Sequence, residues 1–352
     1  GLSWQHQSLP HLQVAQYVEI ASLSFVSENT GWASLSSIWS PDKGVVLKTT
    51  NGGQTWEEAL NTGLPYIYTI AARDEQTVAL VASDFLFSTT NRLYLSTDNG
   101  NSWQHHDIPT QGIMYSLAWS EDRLITCTRH STILSNTISG DQWKVRHQSM
   151  FASDITWASL EKGIVTTGTS KGDNYVMTTD NGGSVWEHNP SLPGGSFVSF
   201  VDEQRGWFFR TGEPASVIRT LNGGESWEEF PVANASGVQR MTVVSPESIW
   251  AYGAQGSLYK SQDQGETWTQ MPSGTTMFIQ SMHFINDTTG WIAGGFGLNN
   301  GFVRKTTDGG ETWSAQSIPV NSHIRSVFFA DAVNGFMISV EGNFFKTLDG
   351  GS

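Results

Sequence analysis

The stretch Thr306-Thr307-Asp308-Gly309-Gly310-Glu311-Thr312-Trp313 constrains this chain more than any other, because relatives of it recur from one end to the other. It reads as a tight turn. Asp or Asn at the third position accepts hydrogen bonds from nearby backbone N–H groups, Gly at the fifth supplies a positive φ, and Trp at the eighth folds back as an apolar plug. Further copies carry Asn51, Asp98, Asn222 and Asp263 at the third position, closed by Trp56, Trp103, Trp227 and Trp268. Three copies are imperfect. One, centred on Asp180, reaches Trp186 with an extra residue; one from Asn136 to Trp143 has Ile138 where the acid belongs; the last, on Asp349, ends at Ser352 before any Trp.

The closing tryptophans fall at 4, 56, 103, 143, 186, 227, 268 and 313, at intervals of 40 to 52 residues. A period of this length is what a four-stranded propeller blade requires. Each interval also repeats an alternating apolar strand, a polar turn and a second strand opening with Gly-Trp or Gly-Phe, as in Phe25 with Gly31-Trp32 and Phe284 with Gly290-Trp291. Period-2 alternation without a helical pattern predicts an all-β protein of four-stranded antiparallel blades. Eight blades are expected, with seven as the alternative if the unit from Asn136 to Trp186 is irregular. The chain starts Ser3-Trp4-Gln5-His6, similar to Ser102-Trp103-Gln104-His105. The strand at about 3–8 should therefore complete the last blade and close the ring, making 1–352 one domain without exposed sheet edges.

Composition narrows the partner. With 19 basic against 33 acidic side chains the net charge is −14, which argues against nucleic acid and anionic membranes. Cys127 is the only cysteine, so no internal disulfide or Cys-based zinc site is available. Each turn offers one acid or amide, far short of a calcium loop. His105-His106 alternate across a strand and cannot converge on one ion. Neither a metal nor another cofactor is expected. No apolar run approaches the length of a membrane span. The start at Gly1 without Met fits removal of an export signal, and an extracytoplasmic monomer (periplasmic, secreted or lipid-anchored) is expected.

Function on a repeat sits in what is not repeated. The three longest intervals carry extra residues between the second and third strands, at 36–43, 83–90 and 295–301. These loops lie on the face opposite the turns. Trp39, Phe85, Phe87, Phe296 and Leu298 on them would form an apolar, partner-binding patch. Residues near the start of each innermost strand approach the central channel, and its lining candidates are Glu19, Tyr68, Asp154, Arg240, Gln280, His323 and Arg325.

The turn resembles the Asp-box (BNR) repeat of sialidases, sortilin-type receptors and certain xyloglucan hydrolases, with Asn51, Asp98, Asp180, Asn222, Asp263, Asp308 and Asp349 as its acid or amide positions. The fuller unit, Phe25 and Gly31-Trp32 leading through Lys48-Thr49-Thr50-Asn51-Gly52-Gly53-Gln54-Thr55-Trp56, resembles the photosystem II stability and assembly factor family and its non-photosynthetic relatives. That resemblance covers essentially the whole chain. It implies a non-enzymatic, exported propeller that holds a protein partner as an assembly or scaffold factor. Photosynthetic members are described with a basic patch, whereas this chain is acidic, so no partner-binding residue is carried over. The alternative is a glycan-binding protein or a sialidase-like glycoside hydrolase acting at the channel. Against it, no Arg here is followed by an apolar residue and Pro, and the first Arg is Arg73. Another glycosidase would need two carboxylates roughly 5–10 Å apart, for which Glu19 and Asp154 are the candidates and no catalytic residue is assigned.

Overall fold

The computed structural model describes residues 3–7, 18–27, 29–37, 44–84, 91–108, 114–120, 123–128, 132–137, 144–148, 151–159, 161–168, 174–193, 197–210, 215–232, 237–297 and 299–351. Every strand belongs to an antiparallel four-stranded sheet, ordered along the chain from inner to outer strand. The one exception in order is the last sheet. There Trp4–His6 pairs with Phe344–Thr347, Trp4 opposite Thr347, as the outer strand beyond Gly335–Ser339 and Ile324–Phe329. The first strand of the chain thus completes its last blade, as the similarity of residues 3–6 to residues 102–105 predicts.

The chain forms two compact units. One comprises Gly1–Leu9, Phe209–Arg219 and Glu228–Ser352, the other Pro10–Phe208 and Thr220–Trp227. The expectation of eight blades is corrected to seven. Three sheets lie wholly in the first unit and four in the second. The remaining strands, Phe197–Phe200, Gly206–Arg210, Ser216–Thr220 and Glu228–Pro231, are divided between the units. The described part of the inner strand here is short. Phe197–Phe200 has four residues, against eight in Val18–Phe25 and seven in Tyr66–Ala72 or Phe278–Phe284, so it has fewer ladder bonds and side chains to pack. The irregular unit is also not the one suspected from sequence, because the sheets from Met114 and from Phe151 are complete.

Within each unit the core forms between blades. Second and third strands such as Val78–Ser83 and Val45–Thr49 are buried along their whole length, whereas outer strands such as Glu57–Asn61 are largely exposed. Strands covered on both faces read as continuous apolar runs. One cluster joins Trp32 and Val46 to Ile67, Ile70 and Leu80 of the next blade; another joins Trp291 and Val303 to Val327, Phe329 and Met337. The Phe…Gly-Trp signature is explained by a close approach. A Cβ on Gly290 would stand 2.5 Å from the Phe284 ring, and one on Gly31 2.4 Å from Phe25, so only glycine lets the ring lie flat there.

A cation links successive blades. Trp250 pairs across the strands with Lys260, and Trp291 with Lys305. Each ammonium sits over its indole, at 5.1 and 5.2 Å from the ring centre. Lys260 also donates to the carbonyl of Gly309 in the next turn at 2.8 Å. Arg219 and Arg123 do likewise to Gln264 and Gly182.

Candidate functional site

The turns are built by their side chains. In the copy at 306–313 the Thr306 hydroxyl donates to Asp308, and the Gly310 N–H donates back to the Thr306 oxygen at 2.9 Å. The Thr312 N–H and hydroxyl both donate to the Asp308 carboxylate, at 3.0 and 2.6 Å. Asn51, Asp98, Asn222 and Asp263 accept the equivalent backbone bond from Thr55, Ser102, Ser226 and Thr267. Asp349 keeps the first half of the pattern with Thr347 and Gly351. Bonds from the Ser102 and Thr312 hydroxyls, followed by the backbone N–H bonds, hold the Asp98 and Asp308 carboxyls down at about 2. Charge is not the requirement, however. In the Asn copies the amide oxygen accepts the same N–H while the amide nitrogen donates to Thr55 or Ser226. What the position supplies is an acceptor for backbone N–H groups, a structural role.

One assignment within this set is corrected. In the copy leading to Trp186 the side chain that accepts from Thr179 and from the Val185 N–H is Asn181, with Gly183 in the fifth position. Asp180 is exposed at the second position. The turn at 179–186 therefore has the standard length, and no extra residue precedes Trp186. An acid followed by an amide, either able to accept the N–H, allows either register in sequence, and only the hydrogen bonds choose between them. The turn around Ile138 lies outside the described residues.

Of the apolar loop residues, Trp39, Phe85, Phe87 and Leu298 lie outside the described residues. Phe296 is described, and at 73% exposure it is the most exposed of the large hydrophobic side chains described. It ends the strand Gly290–Phe296 opposite Asn299, at a tight hairpin with Gly297 at φ 60°. The tip is braced from the following connection. Asn299 bridges to Ser322, and His323 Nδ1 lies 3.0 Å from the Gly297 oxygen. Gly295 and Gly301 make room for that connection: a Cβ on Gly301 would meet the Ser322 oxygen at 1.9 Å. The contacts from Ser322 and His323 thus brace the strand end that carries the exposed Phe296 ring.

The channel candidates cluster at a repeated irregularity. In seven sheets the inner strand carries one unpaired residue against its neighbour, with the register shifting at Ile20/Ser22, Ile67/Thr69, Met114/Ser116, Ala152/Asp154, Val238/Arg240, Ile279/Ser281 and Ile324/Ser326. Such bulges bend a strand and re-aim side chains. Tyr68, Gln280 and Arg325 are themselves the unpaired residues, and Asp154 and Arg240 directly follow one. Tyr68 stacks on Tyr66 at 6.2 Å and its hydroxyl accepts from Ser83. Gln280 and Arg240 are half-buried and Arg325 is exposed, whereas His323 serves the Phe296 hairpin. Glu19 lies on the inner strand Val18–Phe25. Among the described residues no three His, Cys, Asp or Glu side chains gather in a metal-binding group, and no helix is long and apolar enough to cross a membrane.

Sequence reasoning missed a second set of exposed aliphatic residues on the turns. Val185, Val201 and Leu221 in one unit and Val333 and Leu348 in the other are exposed. The signal was present as departure from the repeat. Leu221 and Leu348 occupy a second position that is Thr50, Thr97 or Thr307 elsewhere, and Val185 replaces the Ser or Thr whose hydroxyl bonds the acid.

Comparison with known proteins agrees on the fold. The family described as the DUF6242 beta propeller domain matches residues 184–336. Among solved structures, the chain is similar to YCF48 bound to D1 peptide, at 20% identity over 82% of this chain and 93% of that one, with a TM-score of 0.56. It is similar to YCF48 from Cyanidioschyzon merolae at 15% identity over 98% of each chain, with a TM-score of 0.60. The computationally designed Ika8 protein matches at 14% identity over 95% of this chain and 98% of that one, with a TM-score of 0.66. No curated protein sequence matches the chain. The fold is that of a β-propeller with four-stranded blades.

Proposed function

We propose that this propeller is a non-enzymatic binding module that holds a protein partner as an assembly or scaffold factor outside the cytoplasm, and that its recurring turns are Asp-box turns. The observation that carries this reading is the ring of Phe296, held in water by a hairpin braced through Ser322 and His323. Covering a Phe side chain is worth about 1.5–3 kcal/mol, and no loop needs to be ordered on binding when the hairpin is already fixed. A similar propeller, YCF48, has been solved bound to a D1 peptide, which supports a polypeptide as the class of ligand.

The test is site-specific photo-crosslinking in the native host, with a benzophenone amino acid in place of Phe296. A light-dependent adduct with one discrete polypeptide is expected, lost on competition with excess unlabelled protein but not with its Phe296→Ser variant. Absence of any polypeptide adduct would overturn the reading. A thermal midpoint of Phe296→Ser lowered by more than about 5 °C would do the same, since the ring would then be a core element.

A further inference from the structure

One charged residue stands at a register that other sheets give to uncharged side chains. In the sheet from Phe278, Arg304 pairs with Ile292, two residues before the turn residue Thr306. Leu47, Tyr94, Met177, Tyr259 and Phe345 hold the same place relative to Thr49, Ser96, Thr179, Ser261 and Thr347. All five are buried. Tyr94 shows where such a side chain points, since its hydroxyl donates to the Thr62 carbonyl in the connection arriving from the preceding sheet.

Arg304 meets the corresponding connection, residues 271–277. A Cβ on Gly274 would stand 2.8 Å from Arg304 Nη1, so glycine there leaves room for the guanidinium. A hollow of about 570 Å³ opens beside it, lined among others by Gln255, Gln270, Met271, Thr276, Met277 and Arg304. No carboxylate lines it. Its walls are braced, because Ser273 Oγ donates to the Gly256 carbonyl at 2.7 Å and the Gly256 N–H donates to the Met277 carbonyl at 2.8 Å. Five other arginines, Arg73, Arg92, Arg205, Arg210 and Arg219, each hold an Asp or Glu. Arg304 donates to the Trp313 carbonyl at 3.3 Å and has no carboxylate partner among the described residues. Most of its five N–H donors are therefore left for something else.

We propose that this hollow takes an Asp or Glu side chain of the polypeptide partner. The carboxylate accepts two parallel N–H bonds from Arg304, in the planar fork that guanidinium and carboxylate share. Gln255, Gln270 and Thr276 offer further donors, and Met271 and Met277 give the aliphatic stem an adaptable apolar wall. The net charge of −14 does not oppose this, because charges beyond about 8 Å are largely screened at physiological salt and no acid lines the hollow. Arg304 also lies on the strand that returns from the Phe296 hairpin. Phe296 pairs with Asn299 and Ile292 with Arg304, so the two positions are four residues apart along one sheet, about 13 Å, within reach of one extended segment. This inference rests on the polypeptide-binding reading for its biological ligand, but the need for a carboxylate can be tested with small probes whatever the partner is.

Amide and arginine Nε–H chemical shifts of the isotopically labelled full chain are followed on titration with N-acetyl-L-aspartate amide. N-acetyl-L-asparagine amide serves as its uncharged isostere. Saturable shifts confined to residues 255–256, 270–277 and Arg304 are expected, with at least ten-fold weaker response to the isostere. Arg304→Leu, which restores the apolar side chain that Leu47 provides in its own sheet, should abolish them. Should that variant fold poorly, Arg304→Lys, which keeps the charge and loses the fork, is expected to weaken the aspartate probe at least three-fold. Shifts spread over the surface, equal shifts with the asparagine derivative, or shifts unaffected by these substitutions would overturn the proposal. Tighter binding of D-glucuronate than of the aspartate probe would overturn a polypeptide as the source of the carboxylate. Failure here with an intact Phe296 crosslink would remove the hollow alone, and the converse result would remove the Phe296 reading alone.

Discussion

Lys260 stands 5.1 Å over the indole of Trp250 and donates to the carbonyl of Gly309, 49 residues further along the chain. One side chain therefore joins a cross-strand pair within a blade to the turn of the next. Replacing it with Met keeps the aliphatic stem and removes both the charge over the ring and the donor. A loss of about 1–2 kcal/mol is expected, from one cation–π contact and one hydrogen bond. Chemical denaturation of Lys260→Met against the parent chain checks it, and a neutral result would mean the ammonium is as well solvated in water.

Trp4 is the test of how the chain ends are joined. Its ring is buried, set edge-on to Phe329 at 5.7 Å, in a core cluster with Trp291 and Val303. Trp4→Ala should cost about 3–5 kcal/mol, a core penalty. Amide exchange should accelerate across Phe344–Thr347 first, since that strand loses its outer partner.

The register of the turn at 179–186 can be decided by a pair of substitutions. Asn181→Ala removes the acceptor of the Val185 N–H at 2.9 Å and should cost about 1 kcal/mol. Asp180→Ala, at an exposed second position, should stay within about 0.5 kcal/mol of the parent. Equal losses, measured by thermal melts, would restore the longer register.

Acid should act on the Asp turns in a defined window. The Asp98 and Asp308 carboxyls are depressed from 3.8 to about 2 by hydrogen bonds to Ser102 and Thr312. Folding thus favours the ionised form, so their contribution is complete above the unfolded value of 3.8 and is lost as pH falls towards about 2. Urea midpoints should drop between pH 4.5 and pH 2.5. In Asp98→Asn combined with Asp308→Asn the drop should be smaller, because Asn already serves this position at 51, 181 and 222.

The turn chemistry, the blade strands and the pairing of the first strand with the last were all legible in the sequence, because each depends on residues close together or on a repeated pattern. Thr306, Asp308 and Gly310 satisfy one another within a few residues, so their types and spacing suffice to define the turn. Alternation and the similarity of residues 3–6 to residues 102–105 define the strands in the same way. Of the apolar loop patch only Phe296 lies among the described residues, and its exposure follows from the connection that braces its strand end.

Three things were decided only by tertiary structure. The choice of Asn181 over Asp180 depends on which side chain the backbone presents to the Val185 N–H, and a sequence with two suitable neighbours does not distinguish them. The blades number seven, with the strands from Phe197 to Pro231 divided between two compact units, a matter of contacts that spacing does not register. The cavity of about 350 Å³ beside Thr178 exists because residues from two blades, at Ile164 and Gly223, face one space. Local hydrogen bonding writes itself into the order of residues, whereas the volume left between packed sheets depends on side chains far apart in the chain and appears only when they meet.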